Sequence, residues 1–293
     1  MSRESPRSPA ENAELALLLE VASTPKPGNV DRRRDLEDLR FEQFLAGGVG
    51  SARGLRMAAA GASLGRAFER AVAGMRRQSG GNTQFGCLLL LTPLVGAAAQ
   101  DDLTPAGVER RCRATTVEDA VAFYRAFEHV DVAVGDPPEG ADELDARRGS
   151  DAEPALRDRD MTLWDVMDLS AYPPEGVPDT NGLEWVEGFP RTFAAATEIL
   201  ADDGPVTERG ARAFLGMLAA EPDTLVATNH GAETAREVQE RAATTLDAVE
   251  ESGSLAPAES LARAFVEEGI NPGTTADRTA AALFVALERG LVV

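Results

Sequence analysis

The sequence predicts an all-α fold in a single domain spanning residues 1–293, with residues 1–8 as a flexible N-terminus. Three observations carry that expectation. Helix-opening residues recur along the chain, each ahead of an apolar segment. Apolar residues fall at i, i+3, i+4 spacing, as in Leu283, Phe284 and Leu287. Strand signals are scarce: Thr, Val and Ile alternate nowhere for long, and aromatic residues make up 5% of the chain.

Ser8-Pro9-Ala10-Glu11 has capping-box spacing with proline at the first helical position, ahead of a Leu-rich segment running to Val21. Phe41 to Arg77 carries closely spaced Ala and Gly between Leu45, Leu55, Met57, Leu64, Phe68, Val72 and Met75. It reads as two helices whose small residues let their backbones approach. Thr83 to Ala99 reads as a buried helix. Within it, the apolar run from Gly86 is shorter than the ~20 residues a membrane span needs and contains Pro93. Thr104-Pro105 and Thr116-Val117-Glu118-Asp119 open two more helices. Segments 187–202, 207–220, 232–251, 257–268 and 275–290 complete the set. Residues 135–160, rich in Asp, Glu, Gly, Pro and Arg, read as an acidic surface loop. Ala171 to Gly182, with prolines and glycines around Asp179 and Asn181, reads as a second irregular piece.

Composition excludes several functions. There are 49 Asp+Glu against 29 Lys+Arg, a formal net charge of -20. Such a chain has no basic field to displace counterions from a nucleic acid, nor to dock on an anionic membrane. The acidity is that of a protein soluble in concentrated salt, where repulsion between carboxylates is screened. Two cysteines, Cys87 and Cys112, make no disulfide framework, and two histidines, His129 and His230, make a His-rich zinc site improbable. Cys87, in an apolar run, reads as a small buried hydrophobe. The N-terminus lacks the apolar core of a signal peptide, so the cytoplasm is the expected location.

Four loop-to-helix junctions hold residues that helix propensity alone would not select. The first is Thr24-Pro25-Lys26-Pro27-Gly28-Asn29-Val30-Asp31-Arg32, where two prolines stiffen a polar loop. Lys26 is the only lysine beside 28 arginines, and its compact ammonium suits a phosphate contact. The second is Gly80-Gly81-Asn82-Thr83-Gln84-Phe85-Gly86, where Asn82 or Thr83 can cap a helix and the glycines can cradle an anion. It lacks the GK[ST] ending of a phosphate-binding P-loop. The third runs from Pro222-Asp223-Thr224 to Asn229-His230-Gly231, with Asp223 able to cap a helix. The fourth is Asn271-Pro272-Gly273-Thr274-Thr275-Ala276-Asp277, where Thr274 and Asp277 have capping-box spacing.

Together, and in this order, these four blocks resemble the signature blocks of the ATP:dephospho-CoA triphosphoribosyltransferases. The match of Pro25-Lys26-Pro27-Gly28 with Val30-Asp31-Arg32 is the most specific; Asn82-Thr83 with Gly86, Asp223-Thr224, and Pro272-Gly273 with Ala276-Asp277 support it. The resemblance implies an all-α enzyme that moves the triphosphoribosyl group of ATP to a hydroxyl of dephospho-CoA or a related precursor, releasing adenine. Asp31, Asp223 and Asp277 are then candidates both for catalysis and for binding Mg²⁺. Lys26, Gly28, Asn29, Arg32, Asn82, Thr83, Thr224 and Thr274 are candidates for the nucleotide and its phosphates. The chain departs from the family pattern at Asp35–Arg40 (Asp38 included), at Gln84-Phe85 and at Thr228-Asn229-His230. Glu184, ahead of Phe189-Pro190, is a weaker candidate, as is His230. The competing readings are a phosphohydrolase or nucleosidase on the same scaffold, and a non-catalytic helical nucleotide binder.

Overall fold

The computed structural model of the chain describes residues 7–135, 137, 140–173 and 176–293. Among these residues it contains fifteen α-helices, two 3-10 turns and no strand; the one isolated bridge pairs Asp31 with Arg34. The all-α expectation holds.

The first six helices are α1 (Pro9–Ala22), α2 (Phe41–Ala59), α3 (Leu64–Met75), α4 (Phe85–Ala98), α5 (Pro105–Arg113) and α6 (Val117–Ala126). Ser8 and Glu11 form the predicted capping box at the start of α1. Ser8 is therefore an N-cap rather than part of a flexible tail, and residues 1–6 lie outside the described residues. Helices α2 and α3 touch through their backbones: a Cβ on Gly74 would sit 2.0 Å from the Gly50 carbonyl oxygen, and one on Gly54 2.3 Å from the Ala71 nitrogen.

The stretch expected as an acidic loop over 135–160 is partly helical. Two 3-10 turns (142–144 and 146–152) lead into α7 (Glu153–Asp158). Leu144, Ala152 and Leu156 are buried in the main core, and Tyr124 donates to the Leu144 carbonyl at 2.6 Å. These few apolar residues are enough to tie a polar segment down. Next come α8 (Leu163–Ala171), α9 (Thr180–Glu187), α10 (Pro190–Ala201), α11 (Val206–Ala220), α12 (Thr224–His230), α13 (Ala232–Ser252), α14 (Ala256–Glu267) and α15 (Gly273–Glu288).

Helices α4 and α15 form the centre. Every residue of α4 except Gly86 is buried. Pro93 does not interrupt it. A proline has no N–H for the carbonyl four residues earlier, and the Trp185 Nε1–H of α9 donates to that Leu89 oxygen at 3.2 Å. Helix α15 packs on α4, α1, α10 and α11. A smaller apolar cluster lies under α11, α13 and α14, with Phe214 and Phe265 fully buried. No helix among the described residues is long and apolar enough to cross a membrane.

The glycine contact between α2 and α3 makes a testable claim. Gly74→Ala is expected to destabilise the protein by about 3 kcal/mol, because neither backbone can retreat. Gly216→Ala, in α11 with nothing within 4 Å of its Cβ position, is expected to be neutral or to gain up to about 1 kcal/mol. Urea denaturation of both variants measures the contrast.

Candidate active site

The four sequence blocks meet where the N-terminal ends of α4, α9, α12 and α15 approach the loop after α1. Asp223 joins two of these ends. Its Oδ1 accepts the Leu225 and Val226 N–H groups at 2.9 and 3.1 Å, capping α12. Its Oδ2 accepts the Thr275 N–H and hydroxyl, both at 2.7 Å, inside the first turn of α15. Thr274 Oγ1 accepts a second bond from Leu225 N–H at 3.2 Å. Thr224 Oγ1 accepts from Thr180 N–H at 3.1 Å and donates to the Pro178 carbonyl, linking α12 to α9. Asn82 Oδ1 caps α4 through Phe85 N–H at 3.1 Å. Thr83 is partly exposed beside it.

The first block is an enclosed polar knot. Lys26 is fully buried; its ammonium pairs with Glu20 of α1, donates to Asn29 Oδ1 at 2.8 Å and lies 5.9 Å from the Phe214 ring. Lys26 is thus held inside the protein by internal partners. Asn29 Nδ2 reaches Asn271 Oδ1 at 2.9 Å, tying the first block to the fourth. Gly28 has φ +74°, and a Cβ there would strike the Ile270 carbonyl at 2.2 Å. Asp31, also fully buried, accepts from Thr24 Oγ1, the Lys26 and Arg33 N–H groups, and the Arg34 guanidinium at 2.6 Å.

Asp277 differs from the other two aspartates. It sits on the second turn of α15 and is partly exposed. It accepts only two bonds, both from neutral donors: Asn181 Nδ2 to Oδ2 at 2.9 Å and Cys87 Sγ to Oδ1 at 3.2 Å. Gly86 lets α4 press against it, since a Cβ there would fall 1.9 Å from Oδ2. Loss of water around the carboxyl, reinforced by the charges of Asp223 and Glu20, pushes its pKa up to about 7. Burial also raises Asp223, Asp179 and Glu184, offset in part by their hydrogen bonds and by the Arg278 charge. Arg278 is itself fully buried and pairs with Glu221.

The remaining candidates lie outside this cluster or have structural partners. Glu184 caps α10, accepting the Arg191 and Thr192 N–H groups at 3.2 and 3.0 Å. Arg32, Asp38 and His230 are exposed. Asp31 and Asp223 each accept four internal hydrogen bonds. Among the described residues no group of three His, Cys, Asp or Glu side chains is placed to hold an ion.

Residues 6–292 match the family described as CitG: ATP:dephospho-CoA triphosphoribosyl transferase. The chain belongs to this family. It is therefore a transferase of the triphosphoribosyl-dephospho-CoA synthase type, with ATP and dephospho-CoA as the family's substrates. A solved structure of an Archaeoglobus fulgidus protein assigned as a triphosphoribosyl-dephospho-CoA synthase shares the fold. The two are 24% identical with a TM-score of 0.67, over 84% of this chain and 99% of that one. No curated protein matches the chain.

Sequence reading missed Glu20, Asn181, Cys87, Asp179 and Arg278. Each lies in a segment whose apolar pattern or irregularity accounts for it: Cys87 reads as a small buried hydrophobe, and Asp179 and Asn181 as members of a Pro/Gly-rich stretch. A signal existed for Glu20, which interrupts the apolar run from Ala16 to Ala22.

The Lys26–Glu20 pair separates a structural role from a phosphate contact. Lys26→Met leaves Glu20 buried without its cation and is expected to destabilise by about 3–5 kcal/mol. Adding Glu20→Leu is expected to recover most of that loss. Urea midpoints of the two variants, with ATP absent, measure it.

Proposed function

We propose that Asp277 is the carboxylate that takes the proton of the acceptor hydroxyl as it attacks C1′ of the ATP ribose. In that displacement the new C1′–O bond forms as the C1′–N9 bond to adenine breaks. Adenine departs with the bonding electron pair, the triphosphate stays on the transferred sugar, and the hydroxyl proton passes to the carboxylate. The same negative charge stabilises the oxocarbenium-like centre between the two bonds. The supporting observation is that Asp277, alone among the three candidate aspartates, is partly exposed and keeps lone pairs free of donors. A base with a pKa near 7 is also well matched to neutral solution.

Asp31 and Asp223 act in this reading as anchors of the loop and of the helix ends. The nucleotide phosphates are assigned to the N-terminal turns of α4 and α15, which face one point because Gly86 touches Asp277. Thr83 and Thr274 contribute hydroxyls there, Asn82 and Thr224 shape the turns, and Arg32 supplies an exposed cation at the tip of the first block. Gly28, Asn29 and Lys26 hold the loop that carries it. Mg²⁺ does not fit a three-aspartate site, and we assign it to the triphosphate, not to a resident centre. The acceptor is read as dephospho-CoA or a close precursor, and the setting as a salt-rich cytoplasm.

Incubation with ATP, Mg²⁺ and dephospho-CoA in concentrated salt is expected to release adenine only when the acceptor is present. Appearance of ADP and phosphate without adenine refutes the reading. Adenine release from ATP alone converts it to a nucleosidase. Asp277→Asn is expected to lower kcat by on the order of 10²–10⁴ while ATP still binds.

A base works when ionised, so kcat/KM is expected to rise with pH through about 7 and then level off. Stability moves the other way. The folded state holds the Asp277 proton more tightly than the unfolded chain, whose value is 3.8, so this group's contribution weakens as pH climbs toward 7. Asp277→Asn is therefore expected to melt higher than the parent at pH 8, by an amount that shrinks at pH 5.

A further inference from the structure

The Asp277 carboxyl is gripped by two side chains from different helices, and neither has another evident task. Cys87 Sγ, on the first turn of α4, donates to Oδ1 at 3.2 Å. Asn181 Nδ2, on the first turn of α9, donates to Oδ2 at 2.9 Å. Both residues are buried, Cys87 to 2% and Asn181 to 8% exposure. Gly86 closes the same side: a Cβ there would lie 1.9 Å from Asp277 Oδ2 and 2.8 Å from Asn181 Nδ2. No third donor has room to enter from α4.

We propose that Cys87 and Asn181 are positioning residues for Asp277, fixing the rotation of its carboxyl and setting the pH at which it becomes the reactive base. The inference rests on the reading of Asp277 given above. One oxygen is held by a thiol and the other by an amide, so the plane of the carboxyl is fixed.

The donors are uncharged, unlike the Arg34 guanidinium that pairs with Asp31. A thiol is the weaker of the two and stays protonated here, because burial and the Asp277 and Glu20 charges push the Cys87 thiol well up. The other charged groups around the carboxyl come from each neighbouring element. Glu20 lies on α1, Lys26 and Asp31 on the following loop, Asp179 and Asp223 at the caps of α9 and α12, and Arg278 on α15 itself. Negative groups outnumber positive ones, so the two neutral hydrogen bonds are what keep the carboxylate accessible near neutral pH. Their removal or reinforcement therefore moves its titration in a known direction.

The test is the pH profile of kcat/KM for Cys87→Ala, Cys87→Ser and Asn181→Ala, each checked for folding by thermal melting. Losing a donor raises the midpoint, by about 0.5–1 pH unit for Cys87→Ala and at least as much for Asn181→Ala. Serine donates more strongly than cysteine, so Cys87→Ser lowers it. The plateau of kcat is expected to stay within about threefold of the parent for the two Cys87 variants, as positioning of this kind acts mainly on ionisation.

A second readout uses the unmodified protein. The infrared S–H stretch of Cys87 shifts to lower frequency as Asp277 ionises, with the same midpoint as activity, and the shift is absent in Asp277→Asn. Cys112, the second buried thiol, gives a reference band. Midpoints that stay put in Cys87→Ala and Cys87→Ser, or an S–H band indifferent to both pH and Asp277→Asn, overturn the positioning role. Asp277→Asn turning over at the parental rate overturns the reading of Asp277 and the inference with it. An inactive Asp277→Asn with unmoved midpoints overturns the inference alone. Where a Cys87 variant fails to fold, the infrared titration of the parent decides the matter.

Discussion

The close approach of α4 and α15 at their N-terminal ends is the constraint from which the site follows. Both helices are apolar on nearly every side and must be buried along their length. Burying a helix also buries its first turn, whose N–H groups have no partners within the helix. The protein answers with side-chain acceptors drawn from other segments. Asp223 serves α12 and α15 together, Asn82 serves α4, Asp179 serves α9 and Glu184 serves α10. Each of the three carboxylates, Asp223, Asp179 and Glu184, is held by several donors. Asp277 stands where α4 and α15 meet, without a helix end to cap. Of the three candidate aspartates it is the one whose hydrogen-bonding capacity the fold leaves partly unused, and chemistry can use what structure does not.

This region carries an unusual concentration of buried charge. Glu20, Asp31, Asp223 and Glu184 are fully or almost fully enclosed, against Lys26 and Arg278. Isolated buried ions are strongly unfavourable, whereas paired and hydrogen-bonded ones are tolerable. The pairing here is distributed: Lys26 answers Glu20, Arg34 answers Asp31, and Arg278 draws down Asp179, Glu184 and Asp223 from the middle of α15. An acidic cluster with its cations supplied by the loop after α1 and by α15 loses its balance if either of them shifts. The site is therefore rigid at the expense of stability, which is why neutralising Asp277 is stabilising in sign even as it removes the reactive group.

The helical architecture was legible because long helices announce themselves by period and cap. The capping box at Ser8, the proline at Pro105 and the box at Thr116 all appear where the sequence placed them. Other short helices were not legible. Helices α7, α8, α9 and α12 are six to nine residues long, below the span over which a 3.6-residue period separates from chance. Helix α8 nevertheless carries its own Thr162–Asp165 capping box, a signal present in the sequence and overshadowed by the polar stretch before it. The four functional blocks were found, and the structure brings Lys26, Asp31, Asp223 and Asp277 into one region. Their individual roles were not legible. A sequence shows that a residue is polar and near a turn, but not whether its lone pairs are already taken. The part played by Cys87 and Asn181 was not legible for the complementary reason: one is ordinary in an apolar helix and the other ordinary in a loop, and only their convergence on Asp277 distinguishes them.

The single lysine is explained by the same accounting of donors. On the surface of a chain with a net charge of -20, arginine serves every cationic purpose, and 28 of the 29 basic residues are arginine. At position 26 it could not serve. The slot offers two side-chain acceptors, Glu20 and Asn29, and the face of Phe214. An ammonium has three N–H groups and can spend two on the acceptors and aim its charge at the ring. A guanidinium brings five N–H groups on a wider planar fork, and three of them would be buried without partners. Each orphaned donor costs about 1–3 kcal/mol. The lysine therefore persists because the enclosed space admits a compact cation only, and the sequence bias that replaced lysine elsewhere marks the place where the loop is locked against α1.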